Sequence, residues 1–155
     1  MSGRAGLIIV GAHMRLGQIA ALQGRQRDAL AEYEQELEFV RSVEHALRGR
    51  IFIELQQRVG EAQLRLGETA AGRAALDLAL EAFERRMRNG VDDAMSPYYG
   101  ACAHALRGEG GPALDCLERA AARRPRLTAA RAAIEPALES LHDEPRFRVL
   151  VGQRG

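Results

Sequence analysis

The sequence predicts an all-α protein, and three observations lead there. Its 27 alanines and 19 leucines far outnumber the 15 valines, isoleucines and threonines, so helix-favouring residues dominate strand-favouring ones. Apolar residues recur at three-and-four spacing along several long segments. A glycine recurs at positions 24, 67 and 108, inside segments that align without gaps.

Those segments run from Arg15 to Gly24, Arg58 to Gly67 and Tyr99 to Gly108. Seven residues before each closing glycine stands a very small residue (Gly17, Gly60, Ala101), and five residues after it stands another (Ala29, Gly72, Ala113). This is the pattern of a helical hairpin. The glycine ends the first helix in a left-handed cap, and the small residues let the two axes approach where they cross.

Helices are therefore expected at about 5–23, 26–43, 47–66, 70–89, 94–107, 111–124 and 127–141, with a short turn near 145–151. The second helices carry apolar stripes: Leu30, Tyr33, Leu37 and Val40; Leu76, Ala79, Leu80, Phe83 and Met87; Leu114, Leu117, Ala120 and Ala121. These stripes should face neighbouring hairpins. Ser96-Pro97 reads as the N-cap and first turn of the fifth helix, Gly111-Pro112 as the opening of the sixth, and Pro125 as its close. The last helix, with Leu127, Ile134, Leu138 and Leu141, should cover the final apolar face.

With 155 residues the chain suits one domain, spanning 1–155. A net charge of +1 and seven scattered aromatics without tryptophan argue against nucleic acid. The apolar run Leu7–Val10 is too short for a signal-peptide core or a membrane span, so a cytoplasmic location is expected. Cys102 and Cys116 have no metal-ligand spacing and read as buried free thiols. His13, His45, His104 and His142 fall in four separate parts of the chain, without a paired spacing. No metal, cofactor or catalytic residue is expected. None of the four serines stands in a nucleophile-elbow context, and a phosphate loop would need a lysine that this sequence does not have.

With leucine-glycine, glycine and alanine at these offsets, the chain resembles the tetratricopeptide repeat, a helix-turn-helix unit that stacks into a right-handed superhelical solenoid. Ala101 to Gly108, continuing from Pro112 to Ala120 and closing at Pro125, carries the resemblance best. Repeats fall at about 10–45, 47–89 and 94–125, followed by a C-terminal cap at about 126–151. The match is degenerate. His13, Gln56 and Pro97 stand where the family often has a large aromatic, and Glu36 stands where the second helix usually ends on a small residue. The glycine spacings of 43 and 41 exceed the usual repeat of about 34, as in the longer repeats of motor light chains and bacterial regulators. The run from Glu135 to Leu150 is similar to endings of repeat modules at the C-termini of bacterial multidomain proteins.

The resemblance implies a concave groove lined by first helices. On the matching positions it would present Met14, Gln18 and Ala21, then Glu54, Gln57, Glu61 and Leu64, then Met95, Tyr98, Cys102 and Ala105. One group of the family clamps a C-terminal carboxylate with basic and amide side chains. Here Met14, Gln18, Glu61, Tyr98 and Cys102 hold those places, which argues against such a clamp. The expected ligand is a neutral or basic peptide with an apolar anchor, repelling acids at Glu54 and Glu61 and touching Tyr98. The leading expectation is thus a non-enzymatic adaptor or scaffold that binds a protein or peptide. The alternative is a self-associating module, a homodimer joined through Leu7, Ile8, Ile9 and Val10, a run too continuous for one buried stripe. A helical enzyme is the third reading, and it would need a polar pocket holding a perturbed ionisable group.

Overall fold

Helix is the only regular structure among the residues that the computed structural model describes, 11–42 and 48–152. The elements are α1 (Ala12–Leu22), α2 (Gln26–Ser42), α3 (Arg48–Arg65), α4 (Thr69–Arg88), α5 (Met95–Leu106), α6 (Gly110–Arg123), α7 (Pro125–Ile134), a 3-10 turn (Pro136–Leu141) and α8 (Pro145–Leu150). The run Leu7–Val10 lies outside the described residues.

One device closes α1, α3 and α5. Gly24, Gly67 and Gly108 have φ of 78°, 80° and 80°, a region where a side chain would strain the backbone. Each glycine N–H donates to the carbonyl three residues back, and the next N–H donates to the carbonyl five residues back: Gly67 to Leu64 and Glu68 to Gln63, for example. Two terminal carbonyls are satisfied in this way at every cap. Gly90 ends α4 identically, a fourth cap that the repeat alignment does not mark.

The small residues meet where the helices cross. A Cβ on Gly60 would stand 2.7 Å from the Leu76 side chain and 3.0 Å from the Gly72 carbonyl oxygen, and one on Gly72 would stand 3.0 Å from the Gly60 carbonyl oxygen. In the first hairpin a Cβ on Gly17 would collide with the Tyr33 ring at 2.5 Å. Ala101 and Ala113 are fully buried at the equivalent places of the third.

Besides pairing as α1·α2, α3·α4 and α5·α6, the helices pack α2 on α3, α4 on α5 and α3 on α5. The stripes on α2, α4 and α6 supply the buried surface, from Leu30 to Val40, Leu76 to Phe83 and Leu114 to Ala120. Glu36, in the place of a small residue, has a local reason. It is buried, and its carboxylate accepts the Met14 N–H, one of the donors that the first turn of α1 leaves without an intrahelical partner.

Several sequence expectations need correction. Ser96 is not itself the cap of α5: the Asp93 carboxylate accepts both the Ser96 N–H at 2.6 Å and the Ser96 hydroxyl at 2.9 Å, while Arg86 holds Asp93 from α4. Burial pushes the Asp93 carboxyl up, but the Ser96 and Arg86 hydrogen bonds outweigh it and hold the group below its ordinary value. The segment expected as one helix over 127–141 is broken at Glu135, because Pro136 has no N–H and forces the preceding residue into an extended conformation, here φ −78° and ψ 113°. The break turns Leu127 and Ile134 to solvent. Ala132, Ala137, Leu138, Leu141 and Phe147 cover α5 and α6 instead.

Candidate functional site

The first-helix face of the hairpins opens into a cleft of about 460 Å3, which α7 and the 3-10 turn close on one side. Gln18, Ala21 and Leu22 enter from α1, Tyr33 from α2, Arg58, Glu61 and Arg65 from α3, Tyr98 from α5, and Arg131, Ile134, Glu135 and Glu139 from the C-terminal segment. Its rim is apolar: Leu22 is 77% exposed and Ile134 is 82% exposed. Its floor is polar and largely buried.

On the floor, the Arg58 Nε donates to the Glu54 carboxylate at 2.9 Å, with both side chains buried. Burial alone would disfavour the Arg58 charge, but Glu54 and then Glu135 more than offset it, so the guanidinium stays protonated. One turn on, Glu61 accepts from Arg65 at 3.0 Å and from the Gln57 amide at 3.1 Å. The fold-back of α7 builds the far wall. The Tyr98 hydroxyl donates to Glu135 at 3.3 Å, and Arg131 sits 5.9 Å from the Tyr98 ring centroid while donating to the Tyr99 hydroxyl at 3.4 Å. Tyr98 and Tyr99 meet edge to face, with centroids 5.4 Å apart.

Charge and burial compete in this wall. Burial raises the Glu135 carboxyl first, Arg58 pulls it down, and Glu61 pushes it up again, for a net rise. Burial also lifts the Tyr98 and Tyr99 hydroxyls, and it takes Tyr33 up to about 12. All three phenols are neutral at neutral pH.

Of the residues expected to line a groove, Gln18, Ala21, Glu61 and Tyr98 do line the cleft. Tyr98 is only 2% exposed, so it offers an edge and not the flat contact expected of it. Met14, Glu54, Gln57 and Cys102 are buried, and Met95 is partly buried against the core and within 3.5 Å of Arg131. Those five form the support beneath the face. The exposed side of α3 is turned by about one residue, roughly 100°, from the expected one, which substitutes Arg58 for Gln57. Arg58 could have been found from its spacing to Glu54, since four residues along a helix bring opposite charges together. Arg131 and Glu135 carry no such local signal.

Cys102 is buried and burial raises its thiol; Cys116 is partly buried and raised to about 11 by burial and by Asp115. Both are protonated and unreactive at neutral pH. His104 is partly exposed and bonded to Glu109 at 3.1 Å, and His13 to Glu32 at 2.7 Å. Among the described residues no group of three or more histidines, cysteines or acids could hold a metal ion, and no helix is long and apolar enough to cross a membrane. No protein-family model matches the chain, and neither a curated protein nor a solved structure matches it.

Proposed function

We propose that the chain is a protein-interaction module: three degenerate tetratricopeptide-like hairpins in a right-handed solenoid, taking a peptide of a partner protein in the first-helix cleft. The cleft carries this reading, because it joins an apolar rim at Leu22 and Ile134 to a fixed polar floor, the usual composition of a site that anchors one side chain and orients another. The hairpin order of contacts, with each second helix on the next first helix, supports the solenoid. The reading assigns no catalytic role to any residue.

The ligand chemistry follows from charges that are still unspent. Glu54 is committed to Arg58, and Glu61 to Arg65. Arg131 on the same wall is held by the Tyr99 hydroxyl and the Tyr98 ring, whereas Glu139 is exposed at the cleft and Glu135 makes only long hydrogen bonds of 3.3 and 3.4 Å. A peptide with an apolar residue beside a lysine or arginine complements that wall, whereas an acidic peptide does not.

The test is calorimetric titration with matched nonapeptides that share one leucine and differ only in flanking lysine or glutamate. Binding of the basic series, weakened by Glu139→Lys and by salt, is the expected result. Tighter binding of the acidic series would refute the ligand assignment, and binding unaffected by Ile134→Glu would move the site away from the cleft.

A further inference from the structure

Arg58 is only 9% exposed, yet just one side of its guanidinium has a partner. Its Nε donates to Glu54, while neither terminal nitrogen makes a hydrogen bond to a described residue. Burial does not hide these donors. Among the described residues the fully enclosed side-chain atoms without a partner are Gln57 Oε1 and Gln63 Oε1, so both terminal nitrogens of Arg58 reach accessible surface, and Arg58 lines the cleft. Cationic donors held this deep are ordinarily met by an acceptor, and the described chain supplies none.

The surroundings narrow what that acceptor is. Glu135 enters from the far wall, near enough for its charge to act on Arg58 but forming no ion pair with it. Its two long hydrogen bonds, from the Tyr98 hydroxyl and the Ala137 N–H, leave lone pairs on both carboxylate oxygens. Glu61, on the same floor, already accepts from Arg65 and Gln57. A carboxylate placed on Arg58 would face Glu54 and Glu135, and a cation placed on Glu135 would face Arg58. A neutral group that accepts at one atom and donates at another suits both sides. A main-chain peptide group turns its C=O and N–H in opposite directions, whereas a primary carboxamide carries acceptor and donor together at its tip.

We infer that the cleft floor is a subsite for a primary carboxamide, a glutamine or asparagine side chain of the bound peptide, whose carbonyl oxygen accepts from the terminal nitrogens of Arg58 and whose NH2 donates to Glu135. Glu139, exposed at the cleft, remains for the basic residue, and Leu22 and Ile134 for the apolar one. The subsite rests on the reading of the cleft as a peptide site and names the side chain that its floor selects.

Two probe series separate the two readings. Glutamine capped as its N-acetyl methylamide, titrated into the full chain labelled at arginine nitrogen, should shift the Arg58 Nε–H resonance saturably and bind roughly tenfold more tightly than capped methionine or capped glutamate. In calorimetry, leucine-lysine nonapeptides carrying glutamine, methionine or glutamate at each remaining position in turn should show the same order at one position. Glu135→Met removes the acceptor from a partly exposed site, and Arg58→Lys keeps a cation beside Glu54 without the planar fork. In either variant that melts cooperatively, glutamine should fall to the level of methionine. Methionine equal to glutamine, glutamate equal or tighter, or a glutamine preference that survives the variants would overturn the subsite. Peptides that bind without preference at any position would overturn it and leave the peptide reading standing; capped glutamine at Arg58 with no peptide bound would do the reverse.

Discussion

Gly60→Ala is the sharpest test of how α3 crosses α4. At an open helical position the change raises stability by about 0.4–1 kcal/mol, because alanine narrows the unfolded ensemble and favours helix. At Gly60 the added carbon would stand 2.7 Å from both Cγ and Cδ2 of Leu76 and 3.0 Å from the Gly72 carbonyl oxygen. Leu76 is fully buried and the carbonyl belongs to the facing helix, so relief requires α4 to move as a whole. Overpacking against fixed neighbours costs up to about 3 kcal/mol. The net expectation is a loss of about 1–2 kcal/mol, which for a chain of this size lowers the midpoint by about 2–8 °C. Gly110→Ala provides the control, since its Cβ would make only an ordinary 3.6 Å contact with Leu141, and it should melt higher than the parent. Differential scanning calorimetry on the three proteins decides the matter. A Gly60→Ala midpoint at or above the parent, with Gly110→Ala behaving as expected, would refute the close crossing.

Tyr98→Ala should cost about 3–5 kcal/mol in urea denaturation, since the ring is buried in the core as well as lining the cleft, and Arg131→Ala is the milder probe of the wall. For Glu135 the folded carboxyl is raised, so the folded state holds its proton more tightly than the unfolded state does. Stability from this group is therefore full below the ordinary glutamate value and lost as pH rises through the folded value. Glu135→Gln should accordingly gain on the parent in melting scans as pH rises above the ordinary glutamate value, and a gap independent of pH would refute the assignment. Asp93 has the opposite sign. Its lowered carboxyl contributes stability above the ordinary aspartate value that is lost as pH falls through the folded one, so Asp93→Ala should cost about 0.5–2 kcal/mol at neutral pH and much less in acid.

The closing glycines and the small residues at the crossings were legible because each answers a local steric demand: a left-handed backbone at Gly24, Gly67 and Gly108, or a carbonyl 3.0 Å from where a Cβ would be at Gly60. Most helix ends fell within a few residues for the same reason, but α1 begins at Ala12 behind the left-handed Gly11 and not near residue 5, and the start of α5 was decided between two competing groups. Asp93 and Ser96 both suit a cap, and the choice went to Asp93 because Arg86, on another helix, holds its carboxylate. The break at Glu135 was written in Pro136 but was masked by a continuous run of helix-favouring residues on either side.

The cleft was another matter. Gln18, Glu61 and Tyr98 could be placed by repeat register, yet that register left the side of α3 that faces outward wrong by one residue, because the angle at which a helix settles is set by its neighbours. Arg131 and Glu135 reach the site through partners 32 and 37 residues away. Local rules of backbone and side-chain size therefore determine the helices, their caps and the hairpins from sequence alone. Which charges are buried, paired or left for a ligand depends on long-range packing, because burying a charge is tolerated only where the tertiary fold delivers its partner.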